Sequence, residues 1–302
     1  DNYNNKNTNL KTQQTSSFIV MMCSTHRRKM ATYLSTDIKK VTATRFLDFK
    51  QRGEKITMLT AYDYTTARII DAGGVDSILI GDSASNVMAG NSDTLPITVD
   101  QIIYHARAVA RAVDHALVLC DMPFGSYQVC KEEAVRNAVK IMKETGVDAL
   151  KLEGGVEILP AVEGILAAGI PVCGHLGLTP QSVHKFGGYG LRAKGETEAA
   201  KLIADAEALD KAGCFAIVLE KVPAALAAEV SRRVSCPTIG IGAGNGTDGQ
   251  VLVYADMMGM SKGFKPKFLR QYADLWDVMT NAVGRYVDDV KSTAFPNEAE
   301  SY

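Results

Sequence analysis

From residue 56 onward, apolar runs of four to six residues alternate with longer stretches whose apolar positions recur at helical spacing. The runs are Thr57–Tyr62, Ser77–Gly81, Leu117–Met122, Ala149–Leu152, Pro171–Leu176, Ala216–Leu219, Thr238–Gly242 and, less sharply, Val251–Tyr254, eight in all. The stretches between them carry helix punctuation. Thr98 followed by Gln101 is a capping-box signal, and Ile102, Ala106, Val109 and Val113 share one face of the helix it opens. Gly146 and Gly213 predict the ends of helices over 131–145 and 196–212. Strands apolar on both faces and separated by helices imply a parallel sheet covered by helices. Eight such units in about 200 residues predict an α/β fold, a closed (β/α)8 TIM barrel rather than an open doubly wound sheet. Near the end, Tyr272, Leu275, Met279, Val283, Tyr286 and Val290 fall on one face of a final helix, expected to pack on the barrel or to join an oligomer.

The chain has 302 residues, the size of one large domain or two small ones, and its 46% hydrophobic and 22% charged residues are the mix of a folded globular protein. No apolar run approaches the about 18 residues of a membrane span. Residues 1–42 lack any packing pattern and are expected to be a disordered leader or targeting segment, with the barrel over 43–292 and a frayed tail over 293–302. The first 40 residues carry seven basic side chains against Asp1 and Asp37, a balance of +5, so with the whole chain at −1 the remainder stands at −6. A mildly acidic body offers no footprint for nucleic acid. The basic, hydroxylated, acid-free stretch from Met21 to Thr36 resembles a mitochondrial presequence, making mitochondrial location the expectation and cytoplasmic the alternative. The six cysteines form no C-x-x-C pair and no zinc spacing, and read as thiols.

A barrel of this kind collects its chemistry at the carboxyl ends of its strands, so the residues closing each run matter most. The second run ends at Asp82 and Ser83, the third at Asp121, the fourth at Lys151 and Glu153, the fifth at His175 and the sixth at Glu220. Any one of these alone reads as a helix cap or a solvated edge. Four carboxylates at one mouth are different, because their repulsion has to be relieved by a cation or by protons. Oxygen ligands without clustered Cys or His fit a hard divalent ion, Mg²⁺ before Zn²⁺, with Asp82, Asp121 and Glu153 as the cluster. Lys151 lies two residues before Glu153, hence on the same face, and supplies a positive charge suited to an anionic substrate. A metal, a lysine and a spare carboxylate are the parts needed to take a proton from a carbon beside a carbonyl and to hold the enolate. Glu220, two strands beyond the cluster, is the spare base, and His175 either assists or only hydrogen-bonds. Gly244–Gly249 (GNGTDG) matches a dinucleotide fingerprint, yet only 53 residues follow it and no acid closes a further strand about 20 residues on. It predicts a glycine-permitted turn instead.

Eight segments carry a family likeness: Thr60–Tyr64 (TAYDY), Gly81–Ser83 (GDS), Asp121–Phe124 (DMPF), Lys151–Gly155 (KLEGG), Gly174–Ser182 (GHLGLTPQS), Phe186–Tyr189 (FGGY), Leu219–Glu220 and Ile239–Asn245 (IGIGAGN). In this order they closely resemble the ketopantoate hydroxymethyltransferase family, from about Phe46 to Tyr272, and the run His175–Ser182 is highly specific to it. The resemblance implies transfer of a one-carbon unit from 5,10-methylenetetrahydrofolate to 3-methyl-2-oxobutanoate, giving 2-dehydropantoate in pantothenate and hence coenzyme A synthesis. It implies Mg²⁺ bound by Asp82 and Asp121 with Glu153 as the third acid, keto-acid binding by Ser83, Asp121 and Lys151, and Glu220 as proton acceptor. The partners it implies are a 2-oxo acid, a reduced folate and further copies of the chain in a ring, decameric in bacteria, with neither nucleic acid nor membrane. An alternative of the same broad chemistry is a Mg²⁺-dependent carbon–carbon lyase of the isocitrate lyase kind, which has a run like Cys173–His175. Such enzymes place basic residues before that Cys, where this chain has Ile170, Pro171 and Val172.

Overall fold

The computed structural model describes residues 40–302, so nearly all of the expected leader or targeting segment lies outside the described residues. Eight parallel strands close into a barrel in chain order: β1 Ile56–Thr60, β2 Ser77–Ile80, β3 Leu117–Asp121, β4 Ala149–Glu153, β5 Val172–Gly177, β6 Ala216–Glu220, β7 Thr238–Ile241 and β8 Gly249–Leu252. β8 pairs back onto β1, completing the (β/α)8 architecture that the alternation predicts.

The covering helices begin and end where the local chemistry allows. Val99–Ala112 opens on the Thr98–Gln101 capping box and buries Ile102, Ala106 and Val109. Lys131–Thr145 and Glu196–Ala212 end at Gly146 and Gly213, which take left-handed φ of 77° and 103°.

Side-chain alternation divides the core in two. Outward-facing Ile78, Ile80, Val118, Leu150, Leu152, Val172, Ile217 and Leu219 pack against the helices. Inward-facing Met58, Leu79, Leu119, Ala149, Cys173, Ala216, Val218, Ile239 and Val251 fill the barrel, joined by Phe46, whose ring meets Phe215 edge-on at 5.3 Å. Two residues beyond this apolar floor the same parity delivers Asp121 after Leu119, Lys151 and Glu153 after Ala149, His175 after Cys173, and Glu220 after Val218. The barrel interior is therefore apolar below and ionisable at the carboxyl end.

Two expectations are corrected. β7 and β8 are joined by residues 242–248 without a helix. That loop, which contains most of the apparent fingerprint, lies so close to the helix Ala224–Arg233 that a Cβ on Gly244 or Gly246 would stand 2.4 or 2.6 Å from Ala224 or Ala228. Its glycines answer to backbone approach, and Gly249 opens β8 rather than a helix. The final helix, Leu275–Lys291, starts after Tyr272 and has no buried residue, so it does not pack on the barrel. Trp276, Met279, Val283 and Tyr286 are exposed on it, and its start is tied through main-chain bonds from Leu275 to Met258 and from Trp276 to Gly259. Residues 298–300 form a short capped turn within the exposed tail. No helix among the described residues is long and apolar enough to cross a membrane.

Candidate active site

A cavity of about 710 Å³ occupies the carboxyl end of the barrel, lined by Asp82, Ser83, Asp121, Lys151, Glu153, His175 and Glu220 above Leu79, Val218 and Val251. Phe264 and Phe268, from the segment after β8, form part of its wall. Every residue singled out at a strand end thus meets at one place.

Register sets the neighbours. Asp121 pairs with Lys151 across β3 and β4, Glu153 with His175 across β4 and β5, and Gly177 with Glu220 across β5 and β6. Lys151 Nζ lies 3.1 Å from Asp121 Oδ1, 3.8 Å from Glu153 Oε1 and 3.1 Å from His175 Nδ1. His175 Nδ1 is 3.2 Å from Glu153 Oε1, and Nε2 is 3.4 Å from Glu220 Oε2. The main-chain N–H of Asp82 donates to Asp121 Oδ2 at 3.0 Å, coupling the ends of β2 and β3. Ser83 Oγ shares a hydrogen bond of 2.8 Å with Tyr62 OH, and a Cβ on Gly81 would sit 2.5 Å from that Oγ.

Glycine shapes the base end as well. Gly177 has φ +90°, and a Cβ there would lie 2.3 Å from the carbonyl oxygen of Glu220. The bare backbone lets Leu178 N–H donate to that carbonyl at 2.8 Å. Lys221, next in the chain, takes a left-handed φ of 45°, a strained conformation for a residue with a side chain.

The charges do not balance. Five carboxylates, Asp256 being the fifth, line the cavity with Lys151, Lys221 and His175, two units of charge short even when His175 is protonated. Burial, then the Glu153 and Asp121 charges, push the Asp82 carboxyl well above the usual range. Burial acts upward on Glu153 too, but His175 and Lys151 outweigh it and hold that carboxyl low. Burial and the Lys151 charge press His175 down, yet Glu153 and Glu220 prevail and its pKa rises to about 8.

The residues fit a divalent cation. Asp121 Oδ1 is buried with only the ion contact to Lys151 and no hydrogen bond, and Asp82 stands beside it. No three His, Cys, Asp or Glu among the described residues are grouped as a metal-holding set. Mg²⁺ is suited to such a site, since it binds through one or two carboxylates and keeps water or substrate oxygens for its other positions.

Sequence reasoning did not select Tyr62, Tyr127 or Gln181, which come from loops. Tyr127 OH lies 3.0 Å from Glu153 N, and Gln181 touches both Asp82 and Glu153. Gln181 lies inside the run His175–Ser182, the one signal that pointed toward it.

Fold and site define a (β/α)8 barrel whose mouth gathers several carboxylates around a buried lysine. The ketopantoate hydroxymethyltransferase family matches residues 40–298, and the chain belongs to that family. It is 63% identical to the 3-methyl-2-oxobutanoate hydroxymethyltransferase of Phocaeicola vulgatus over 273 residues, 90% of this chain and all of that protein. Proteins of the same name from Bacteroides fragilis and Porphyromonas gingivalis are 61% and 57% identical over equal spans. Among solved structures, a phosphonopyruvate hydrolase complexed with oxalate and Mg²⁺ matches in fold at a TM-score of 0.56 and 11% identity, covering 86% of this chain and 93% of that one. A phosphoenolpyruvate phosphomutase from Streptomyces platensis matches at 0.56 and 13%, covering 83% and 88%. These curated relatives are bacterial, which argues against the mitochondrial expectation.

Proposed function

We propose that the protein is a 3-methyl-2-oxobutanoate hydroxymethyltransferase that takes its one-carbon unit from 5,10-methylenetetrahydrofolate and serves pantothenate synthesis. The observation that carries this reading is the meeting of Asp82, Asp121, Lys151, Glu153 and Glu220 around one cavity in a chain of this family. The same family membership sets the transferase above the lyase of the isocitrate lyase kind.

Asp82 and Asp121 hold Mg²⁺, with Glu153 as the third acid. When bound, the ion supplies the missing positive charge and draws electron density from the carbonyl and carboxylate oxygens of the 2-oxo acid. Lys151 and Ser83 bind the substrate carboxylate, Lys151 by charge and Ser83 through a hydroxyl that Tyr62 orients. Glu220 removes the proton on C3, next to the keto group, leaving the enolate. His175, between Glu220 and Glu153, lies within ion-pair distance of both carboxylates and holds them in place. The enolate carbon then bonds to the methylene carbon of the folate, both C–N bonds of that carbon to the folate nitrogens break, and one water supplies the hydroxyl group. Tetrahydrofolate leaves with the second proton of that water and the proton taken by Glu220 on its two nitrogens. A cavity of about 710 Å³ is far larger than a five-carbon oxo acid and leaves room for a second organic molecule against Phe264 and Phe268.

Residues 43–292 are proposed as the catalytic unit. The exposed apolar face of Leu275–Lys291 supports a homo-oligomer, and the count of ten rests on family resemblance alone. The test is direct: purified protein given Mg²⁺, 3-methyl-2-oxobutanoate and 5,10-methylenetetrahydrofolate forms 2-dehydropantoate, detected by mass, and forms none without the folate. Product without the folate, or none with it, overturns the assignment.

A further inference from the structure

Gln181 lies on the single 3-10 turn Pro180–Ser182 after β5, and is 6% exposed. Its side-chain Nε2 donates to Asp82 Oδ2 at 2.9 Å and to the main-chain oxygen of Met122 at 3.0 Å. Its Oε1 accepts from Tyr127 OH at 2.6 Å and from Gln128 Nε2 at 3.0 Å. Its main-chain N–H donates to Glu153 Oε2 at 2.9 Å. Both amide protons and both lone pairs of the side chain are thereby occupied. The orientation is fixed by chemistry as well as packing. A flipped amide would set oxygen against the Asp82 carboxylate and the Met122 carbonyl, and nitrogen against Gln128 Nε2.

One neutral residue therefore ties together the ends of β2, β3 and β4 from a loop after β5. We propose that Gln181, backed by Tyr127, is a positioning residue that locks one oxygen each of Asp82 and Glu153, so that both carboxylates are held ready for the divalent cation. This rests on the reading above that Asp82 holds that ion. Locked carboxylates lose less freedom on binding, and groups that orient metal ligands commonly change affinity by about 10–100-fold when removed. An amide suits the place better than a charged donor. It orients carboxylates without adding positive charge that would compete with the metal.

The test uses the whole protein and Mn²⁺ as the spectroscopic probe, with free Mn²⁺ read by electron paramagnetic resonance in the absence of substrate. Gln181→Leu should weaken Mn²⁺ binding by about 10–100-fold. Its turnover should recover in part as Mg²⁺ is raised, which a purely structural defect would not do. Tyr127→Phe deletes only the hydroxyl behind the Gln181 amide and should weaken Mn²⁺ binding less, in the same direction. It keeps the question open to refutation should Gln181→Leu fail to fold. Asp82→Asn is the reference. Native Mn²⁺ affinity in Asp82→Asn removes the underlying metal assignment. Lost affinity there, with native affinity in a folded Gln181→Leu or in Tyr127→Phe, overturns the positioning role alone.

Discussion

His175 Nε2 lies 3.4 Å from Glu220 Oε2, while the other ring nitrogen lies 3.2 Å from Glu153 Oε1, so one imidazole stands between two carboxylates on neighbouring strands. Nε2 is buried without a hydrogen bond and meets Glu220 as an ion contact, and against the effect of burial the two flanking carboxylates raise the pKa of the ring to about 8. Replacing it with His175→Asn should slow C3 proton removal by misplacing Glu220, yet by less than loss of Glu220 itself. Because the two residues act as a unit, the double variant with Glu220→Gln should be no slower than Glu220→Gln alone. Additive losses in steady-state rates would show that His175 acts independently.

Asp82→Asn keeps size and still accepts the hydrogen bond from Gln181. Calorimetric titration should show loss of Mg²⁺ binding. Without metal, the variant should melt at the same temperature as the parent or higher, because a carboxylate pushed up by burial and by Glu153 and Asp121 is relieved. A large fall in metal-free melting temperature would contradict the picture of a repulsive cluster awaiting a cation.

Lys151 is 4% exposed and is the only lysine in contact with Asp121 and Glu153 among the described residues. Lys151→Met leaves buried carboxylates uncompensated and should cost about 3–5 kcal/mol in denaturant unfolding without metal. Added Mg²⁺ should return part of that stability, since it supplies positive charge at the same place. Equal losses with and without Mg²⁺ would count against a shared site.

Asp210 gives a check remote from the cavity. Its carboxylate accepts from the main-chain N–H groups of Ser235 and Cys236, each within 2.9 Å. Burial works upward on this group, but those bonds outweigh it and hold its pKa below the ordinary value. A carboxyl lowered on folding stabilises the protein above its unfolded pKa of about 3.9, and that share is lost as pH falls through the lower folded value. Asp210→Asn should therefore be less stable than the parent at neutral pH, with the difference shrinking in acid. A constant difference from pH 7 to pH 3 in urea unfolding would contradict this.

Much of the molecule was legible in the chain because its two periods are clean. Alternation by two over Leu119 and Asp121, or over Ala149, Lys151 and Glu153, sets both the apolar floor and the acids above it. Gly146 and Gly213 could be read as stops because left-handed φ favours glycine. Gly177 carries the same permissive conformation inside a strand end, and nothing local signals that its missing Cβ makes room for the Glu220 carbonyl. Gln181 and Tyr127 stayed hidden for a related reason. Their partners are brought near by barrel closure, 99 residues apart for Gln181 and Asp82 and 26 for Tyr127 and Glu153. The final helix could be read as a helix but not assigned a neighbour, because an apolar stripe shows that a face needs cover and not what covers it.

The central claim is that Glu220 takes the C3 proton while the metal-holding acids stay committed elsewhere, and proton exchange into D₂O isolates that step. Nuclear magnetic resonance of 3-methyl-2-oxobutanoate with enzyme and Mg²⁺ should show loss of the C3 proton signal in the parent. Glu220→Gln keeps shape but cannot accept a proton. It should bind Mg²⁺ as the parent does and lose exchange by about 10²-fold or more. Exchange retained at the parental rate would contradict the account and pass the role of base to His175 or another group of the cavity.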